Sequence, residues 1–223
     1  MPDRRARRAS YTIDVAILTA VKNQLAVLLR RSPELREKWS LPWDTPGVDE
    51  PLATVAAKIA QDSLGIAPAW LDQIGAVADG RRHPAESEIS IGFVSLAPLG
   101  TPPPVGGNHA WFPLSDVPQI PPRQRAILDS GVLLLRYRMD QAPVAFRLLP
   151  STFTLSELQQ MYELLLGKKL HKASFRRALQ AAYLVEPTDE WRSEGRGRPA
   201  QLYRYAPRKR RPAQRGIRLD FVA

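Results

Sequence analysis

TLSELQQMYELLLGKKLHKASFRRALQAAY, residues 154–183, contains two helical patterns separated by a short break. Thr154 and Glu157 have capping-box spacing, in which each residue satisfies a backbone donor that a helix start leaves unpaired. Leu158, Met161, Tyr162 and Leu165 then keep the spacing of one helical face. Gly167 stands where a helix closes through a left-handed residue. The second pattern, residues 172–183, has two opposite faces. Phe175, Ala178, Leu179 and Ala182 form an apolar one. Ala173, Arg176, Arg177 and Gln180 form a polar one at the same spacing. Two short strands are predicted next, over 184–191 and 201–206. Ser193-Glu194-Gly195-Arg196-Gly197-Arg198-Pro199 is the hairpin between them.

Helix, short turn, helix and hairpin is the order of a winged helix-turn-helix. The side chains suit a duplex. A helix in the major groove needs long donors on one face and small residues beside them, so that the backbone can come close. Arg176, Arg177 and Gln180 are the donors; Ala173 and Ser174 are the small neighbours. Arginine pairs in a bidentate way with guanine and glutamine with adenine. Lys168, Lys169 and Lys172 stand where phosphate contacts are expected. Arg196 and Arg198 sit on a glycine-flanked tip narrow enough for a minor groove. A basic helix face is usually only a solvated one, so the sequential order of elements carries the inference. The competing use of such a module is protein contact.

Charge supports a polyanionic partner. Residues 9–150 hold 13 Lys/Arg against 14 Asp/Glu, whereas residues 151–223 hold 15 against 7. Residues 1–8 add four Arg and one Asp. A neutral body therefore carries a basic module at one end and a basic arm at the other, as expected where phosphates are to be neutralised. The tail after Pro207, RKRRPAQRGIR, is expected to be disordered. There is no cysteine, which excludes disulfides and thiolate metal sites and fits a reducing compartment. No apolar run approaches the ~18 residues of a membrane span, and no apolar signal core follows the basic start. A cytoplasmic protein is expected.

The first part of the chain reads differently. Residues 11–20 (YTIDVAILTA) and 24–31 (QLAVLLRR) are predicted strands, with Val21-Lys22-Asn23 as the turn. Residues 32–51 are turn-rich. A helix follows over 52–64, with Leu52, Val55, Ala56 and Ile59 on one face and Gly65 closing it. Ile74–Asp79 and Ile89–Ala97 are predicted strands around a polar turn at Gly80–Ser87. Pro98–Gly107 is a loop, Ala110–Leu114 a short apolar stretch, and Pro122–Arg138 a helix. This alternation indicates a mixed α/β sandwich.

Strand, strand, Trp39-Ser40-Leu41-Pro42, then a helix ending Leu64-Gly65-Ile66, resembles a Nudix domain. With the box anchored on Gly65-Ile66, its Arg-Glu pair falls on Lys58-Ile59 and its Glu-Glu pair on Asp62-Ser63. Its upstream Glu falls on Glu50, and its Leu-Pro-Gly-Gly reads Leu41-Pro42-Trp43-Asp44. Nudix enzymes gather carboxylates on that helix to hold Mg²⁺, which polarises a diphosphate and activates water. Positions 59, 62 and 63 here are Ile, Asp and Ser. The expectation is a reshaped pocket without metal, cofactor or catalysis.

Over residues 10–206 the chain resembles a narrower family, the Nudix-related NrtR-like transcriptional regulators. The resemblance is carried by Pro143-Val144-Ala145-Phe146, Leu148-Leu149-Pro150, Phe153-Thr154-Leu155-Ser156-Glu157-Leu158-Gln159 and Tyr162-Glu163. It continues through Ser174-Phe175-Arg176-Arg177, Gly197-Arg198-Pro199-Ala200 and Leu202-Tyr203-Arg204. It implies a homodimer on a pseudo-palindromic operator of double-stranded DNA, released by a nucleotide-derived effector such as ADP-ribose; some relatives sense sugars. Residues 1–9 would be a basic arm, 10–142 a Nudix-like sensor, 143–206 the winged helix and 207–223 a basic tail. The pocket candidates are Arg31, Trp43, Asp44, Glu50, Lys58, Asp62, Arg81 and Arg82. Arg81 and Arg82 lie in the turn that overhangs the pocket in similar domains, and guanidinium groups suit a diphosphate. His83, with no partner at metal spacing, is expected at the surface. Trp39 and Trp111 are expected in the core. The alternative function is a Nudix-type nucleoside-diphosphate-sugar pyrophosphatase with an accessory winged helix.

Overall fold

The computed structural model describes residues 11–21, 23–33, 38–47, 49–78, 80, 83–101, 107–139, 142–193 and 199–206. The expectations for the basic ends, and for Arg81, Arg82, Arg196 and Arg198, lie outside these residues. The chain divides into two units, Met1–Leu134 and Leu135–Ala223.

The first unit is a seven-stranded mixed sheet with helices packed on it. Its elements are β1 (Tyr11–Val21), β2 (Gln24–Ser32), β3 (Lys38–Ser40), β4 (Trp43–Asp44), α1 (Leu52–Leu64), β5 (Trp70–Val77), β6 (Ile89–Leu96), β7 (His109–Pro113) and α2 (Pro122–Met139). The order is β3-β2-β1-β6-β5, with β4 on β1 and β7 on β2. β1 and β6 run parallel; the other pairs are antiparallel. β1 is buried without interruption from Thr12 to Thr19. A central strand covered on both faces reads as a continuous apolar run instead of alternating.

Alternation divides β1 between the two helices. Ile13, Val15 and Ile17 cluster with Val55, Ala56, Ile59, Ala60 and Leu64 of α1. Asp14 and Ala16 point the other way, level with Gly92 and Val94 of β6. Helix α2 covers that second face. A Cβ added to Gly92 would lie 3.0 Å from Ile127, and one added to Gly131 would lie 3.2 Å from both Ile74 and Val94. The two glycines thus permit a helix–sheet approach that a side chain would obstruct.

The structure corrects several sequence boundaries. β3 and β4 arise inside the stretch read as turn-rich, where each is too short to show a period. β5 begins at Trp70 rather than Ile74. Its register against β6 shifts between Gln73 and Gly75, which breaks the alternation a strand should show. The first hairpin turn is tighter than expected: β1 continues through Val21, and Asn23 takes a positive φ of 62°.

The second unit begins within α2. A 3-10 turn, Val144–Arg147, leads to β8 (Thr152–Phe153), α3 (Leu155–Leu166), α4 (Lys172–Ala182), β9 (Val185–Arg192) and β10 (Ala200–Tyr205). The three strands form an antiparallel sheet in the order β8-β10-β9. The capping box is formed. Glu157 N donates to Thr154 Oγ1 at 3.1 Å, and Thr154 N donates to Glu157 Oε2 at 2.6 Å. Arg192 of β9 donates to the other oxygen of Glu157 at 2.7 Å, tying the hairpin to the start of α3. Gly167 closes α3 at φ 70°. Helix α4 closes on Tyr183, a non-glycine residue at φ 51°. Phe146, Phe153, Leu158, Tyr162, Leu165, Phe175, Leu179 and Leu202 form the core.

Candidate functional site

Helix α4 presents the face expected of it. Phe175 and Leu179 are 0% and 1% exposed and hold the helix to its own unit. Lys172, Ala173, Arg176, Arg177 and Gln180 are exposed on the other side, and Ser174 is half-buried. The Ser174 hydroxyl and His171 Nδ1 lie 3.2 Å apart, closing the first turn. Five donor-bearing or small residues therefore face solvent from a helix anchored behind, as insertion into a groove requires.

The turn between α3 and α4 is organised by Glu163, a residue the sequence analysis assigned no role. Its Oε1 accepts from Leu170 N and from Gln159 Nε2, each at 3.0 Å. Gln159 Nε2 also donates to the Leu170 carbonyl at 3.0 Å. Lys169 Nζ donates to Glu163 Oε2 at 3.0 Å. Partial burial works to raise the Glu163 pKa, but hydrogen bonds from Leu170, Gln159 and Lys169, with the Lys169 charge, outweigh it. The carboxyl is held below its usual value. Lys168 and Lys172 are exposed as expected. Lys169 is also exposed, yet its ammonium is engaged by Glu163.

The pocket candidates of the first unit are distributed over different surroundings. Trp43 pairs across from Asp14 and Asp44 from Ile13, so the two neighbours lie on opposite faces of the sheet. Lys58 and Asp62 are exposed on α1. Glu50 accepts from Gly47 N at 2.7 Å, and Asp44 accepts from Thr45 N at 2.7 Å. Arg31 places its guanidinium 4.7 Å from the Trp39 ring centre, and Trp39 meets Phe112 edge-on at 4.9 Å. Trp39 and Trp111 are half-buried, with Trp111 packed against the core. Trp43 lies beneath Arg30, whose guanidinium is 4.9 Å from its ring centre, and meets the His83 ring edge-on at 5.0 Å.

His83 is not at the surface; it is 3% exposed. The cause is Asp14, a fully buried carboxylate on the α2-facing side of β1. Ala85 N donates to His83 Nδ1 at 3.0 Å. That nitrogen must therefore be an acceptor, which leaves the proton on Nε2 to donate to Asp14 Oδ1 at 2.8 Å. Gln124 of α2 donates to the same oxygen at 2.7 Å, and its own Oε1 accepts from Leu41 N at 3.0 Å. Thr12 donates to Asp14 Oδ2 at 2.9 Å. The signal available in the sequence was Asp14 itself, an acid inside an otherwise apolar strand.

The residues do not suit a magnesium site on α1. Ile59 and Ser63 are 7% and 8% exposed and face the core. The Ser63 hydroxyl donates to the Ile59 carbonyl at 2.8 Å. Among the described residues no helix is long and apolar enough to cross a membrane.

Comparisons with known proteins cover both units. Residues 145–205 match the NrtR DNA-binding winged helix domain. Over 204 residues the chain is 28% identical to the ADPR responsive transcriptional repressor NtrR of Acinetobacter baylyi, spanning 87% of this chain and 81% of that one. The crystal structure of Shewanella oneidensis NrtR complexed with a 27mer DNA superposes with a TM-score of 0.76 at 26% identity, over 88% of this chain and 94% of that chain. A MutT/nudix family protein from Enterococcus faecalis shares the fold, with a TM-score of 0.70 at 19% identity over 91% and 90% of the two chains. The chain therefore has the domain order of NrtR, a Nudix-like mixed α/β domain followed over residues 145–205 by a winged helix domain that matches the NrtR DNA-binding one.

Proposed function

We propose that this protein is a transcriptional repressor that holds a pseudo-palindromic operator as a homodimer and releases it when its Nudix-like domain binds ADP-ribose or a related nucleotide or sugar. One observation carries the reading: the outward Arg176, Arg177 and Gln180 of α4, with Phe175 and Leu179 buried behind them. The A. baylyi relative is by name an ADPR responsive repressor, and the S. oneidensis relative is complexed with DNA. A cytoplasmic site of action follows from that role.

Within this reading residues 143–206 bind DNA and residues 10–142 sense. Arg176, Arg177 and Gln180 read bases. Lys168 and Lys172 contact phosphates, with Ser174 beside the helix start; Lys169 does so only by leaving Glu163. Arg196 and Arg198 occupy the minor groove. Effector contacts come from among Arg31, Trp43, Asp44, Glu50, Lys58, Asp62, Arg81 and Arg82. Trp43 is the anchor, because its ring is already held between Arg30 and His83. The domain does not hydrolyse its ligand, since Ile59 and Ser63 supply neither charge nor metal ligands where the box needs carboxylates.

The test is operator binding by fluorescence anisotropy, using duplex from upstream of the protein's own gene. Affinity should fall steeply between 50 and 200 mM salt, on the order of 10³-fold or more for six or more phosphate contacts. ADP-ribose should weaken it by about 5–150-fold, the usual range of allosteric coupling. Equal retention of unrelated duplexes would defeat the DNA-reading half. Unchanged operator affinity with ADP-ribose would defeat the effector half.

A further inference from the structure

We infer that Asp14, His83 and Gln124 form a positioning cluster through which the effector-side loops act on helix α2; this rests on the effector-release reading above. The side chains of His83 and Asp14 are both 0% exposed, and Gln124 is likewise buried. A buried carboxylate is costly unless donors surround it. Thr12, His83 and Gln124 are those donors.

Around Asp14 the network joins three segments far apart in the chain, two of which adjoin the effector candidates. His83 directly follows Arg81 and Arg82, and its ring meets Trp43. Leu41, whose amide is held by Gln124, lies two residues before Trp43. The third segment is the first turn of α2, a helix that continues without a break to Met139. Gln124 is the link among them. Its amide has one orientation that serves both neighbours, with oxygen toward Leu41 N and nitrogen toward Asp14. A ligand that displaces the backbone before Trp43 or the His83 ring must break one of these bonds or carry Gln124 with it. Arg123, 2% exposed, adds a parallel tie by donating to the Ser87 carbonyl at 2.9 Å. Because each of these bonds is either made or broken, displacement at the effector side would reach α2 as a discrete change.

The experiment uses the full chain and measures operator Kd with and without saturating ADP-ribose. The variants are Gln124→Leu, which keeps the shape but removes both polar ends, and His83→Phe, which keeps a ring against Trp43 but removes the bond to Asp14. Wild type should show a Kd ratio of about 10-fold or more, within the usual range of coupling. Each variant should bind operator within ~2-fold of wild type when ADP-ribose is absent, with the ratio reduced below ~2-fold. A cooperative melt distinguishes this from unfolding. Variants that keep the wild-type ratio overturn the cluster's role and leave the effector reading intact. A wild type with no response overturns both. Should either variant fail to melt cooperatively, amide exchange on wild type decides. Protection at Leu41, Ala85 and residues 122–130 should change by about ten-fold on ADP-ribose saturation. Unchanged exchange there overturns the proposal.

Discussion

Helices α1 and α4 are nearly equal in length, 13 and 11 residues, and each buries one apolar face. They differ in what occupies the positions their sequence patterns mark for function. In α1 two of the three box positions hold Ile59 and Ser63, which face the core, and only Asp62 remains outside. In α4 the marked residues, Arg176, Arg177 and Gln180, are all exposed. On the proposed reading, α1 keeps its place in the fold without catalysis, because packing needs only the inner face, and α4 works through its outer one. The exposure of particular side chains, more than the pattern that contains them, is what that reading rests on.

That contrast can be broken or sharpened by mutation. The largest effect is expected from restoring carboxylates with Ile59→Glu and Ser63→Glu. Each would bury an unpaired charge, at a cost of about 3–5 kcal/mol, so urea denaturation should show a severely destabilised protein without Mg²⁺-dependent turnover. Recovery of diphosphate hydrolysis would erase the distinction between the helices. Next, Arg176→Ala with Arg177→Ala should lower operator affinity by roughly 100-fold, about 3 kcal/mol, given ~1–3 kcal/mol for each bidentate base contact. The melting curve should not move, since neither side chain is part of the core.

Smaller effects test how α4 is held. Thr154→Ala removes the capping hydroxyl from α3 and should cost about 1 kcal/mol in denaturant titration. The smallest effect is a pH dependence. Glu163 has a folded pKa below the ordinary carboxylate value, so the stability it contributes is present above that ordinary value. It is lost as pH falls through the lower, folded one. Wild type should therefore lose stability relative to Glu163→Gln only on the acid side of the usual carboxylate range. Parallel acid melts of the two proteins would show the turn to be held in some other way.

Helices α1, α3 and α4 were legible because their apolar residues recur at helical spacing, to which α1 adds a closing glycine and α3 a capping box and a closing glycine. Thr154, Glu157 and Gly167 stand where local chemistry alone requires them. The long strands were legible for a similar reason, as apolar runs bounded by turns. β3 and β4 were not, since strands of three and two residues exist only through their pairing with β2 and β1. The buried polar cluster gave one sign only, the acid Asp14 in a largely apolar strand, and its partners are fixed by pairing at longer range. His83 and Gln124 lie 69 and 110 residues from Asp14, and none of the three carries a local mark of the others. A lone histidine in a polar loop gives no sign that a distant carboxylate will draw it inside. The exposed polar face of α4 was legible because its residues need only share one helix surface.

The end of α4 has a practical consequence. Tyr183 occupies a left-handed backbone conformation at φ 51° and is 57% exposed. For most side chains that conformation costs on the order of 1–2 kcal/mol, which glycine avoids. Glycine there would relieve the backbone cost and forgo what the tyrosine side chain contributes. The difference between the two sets how firmly the helix ends, one turn beyond the groups that would meet bases.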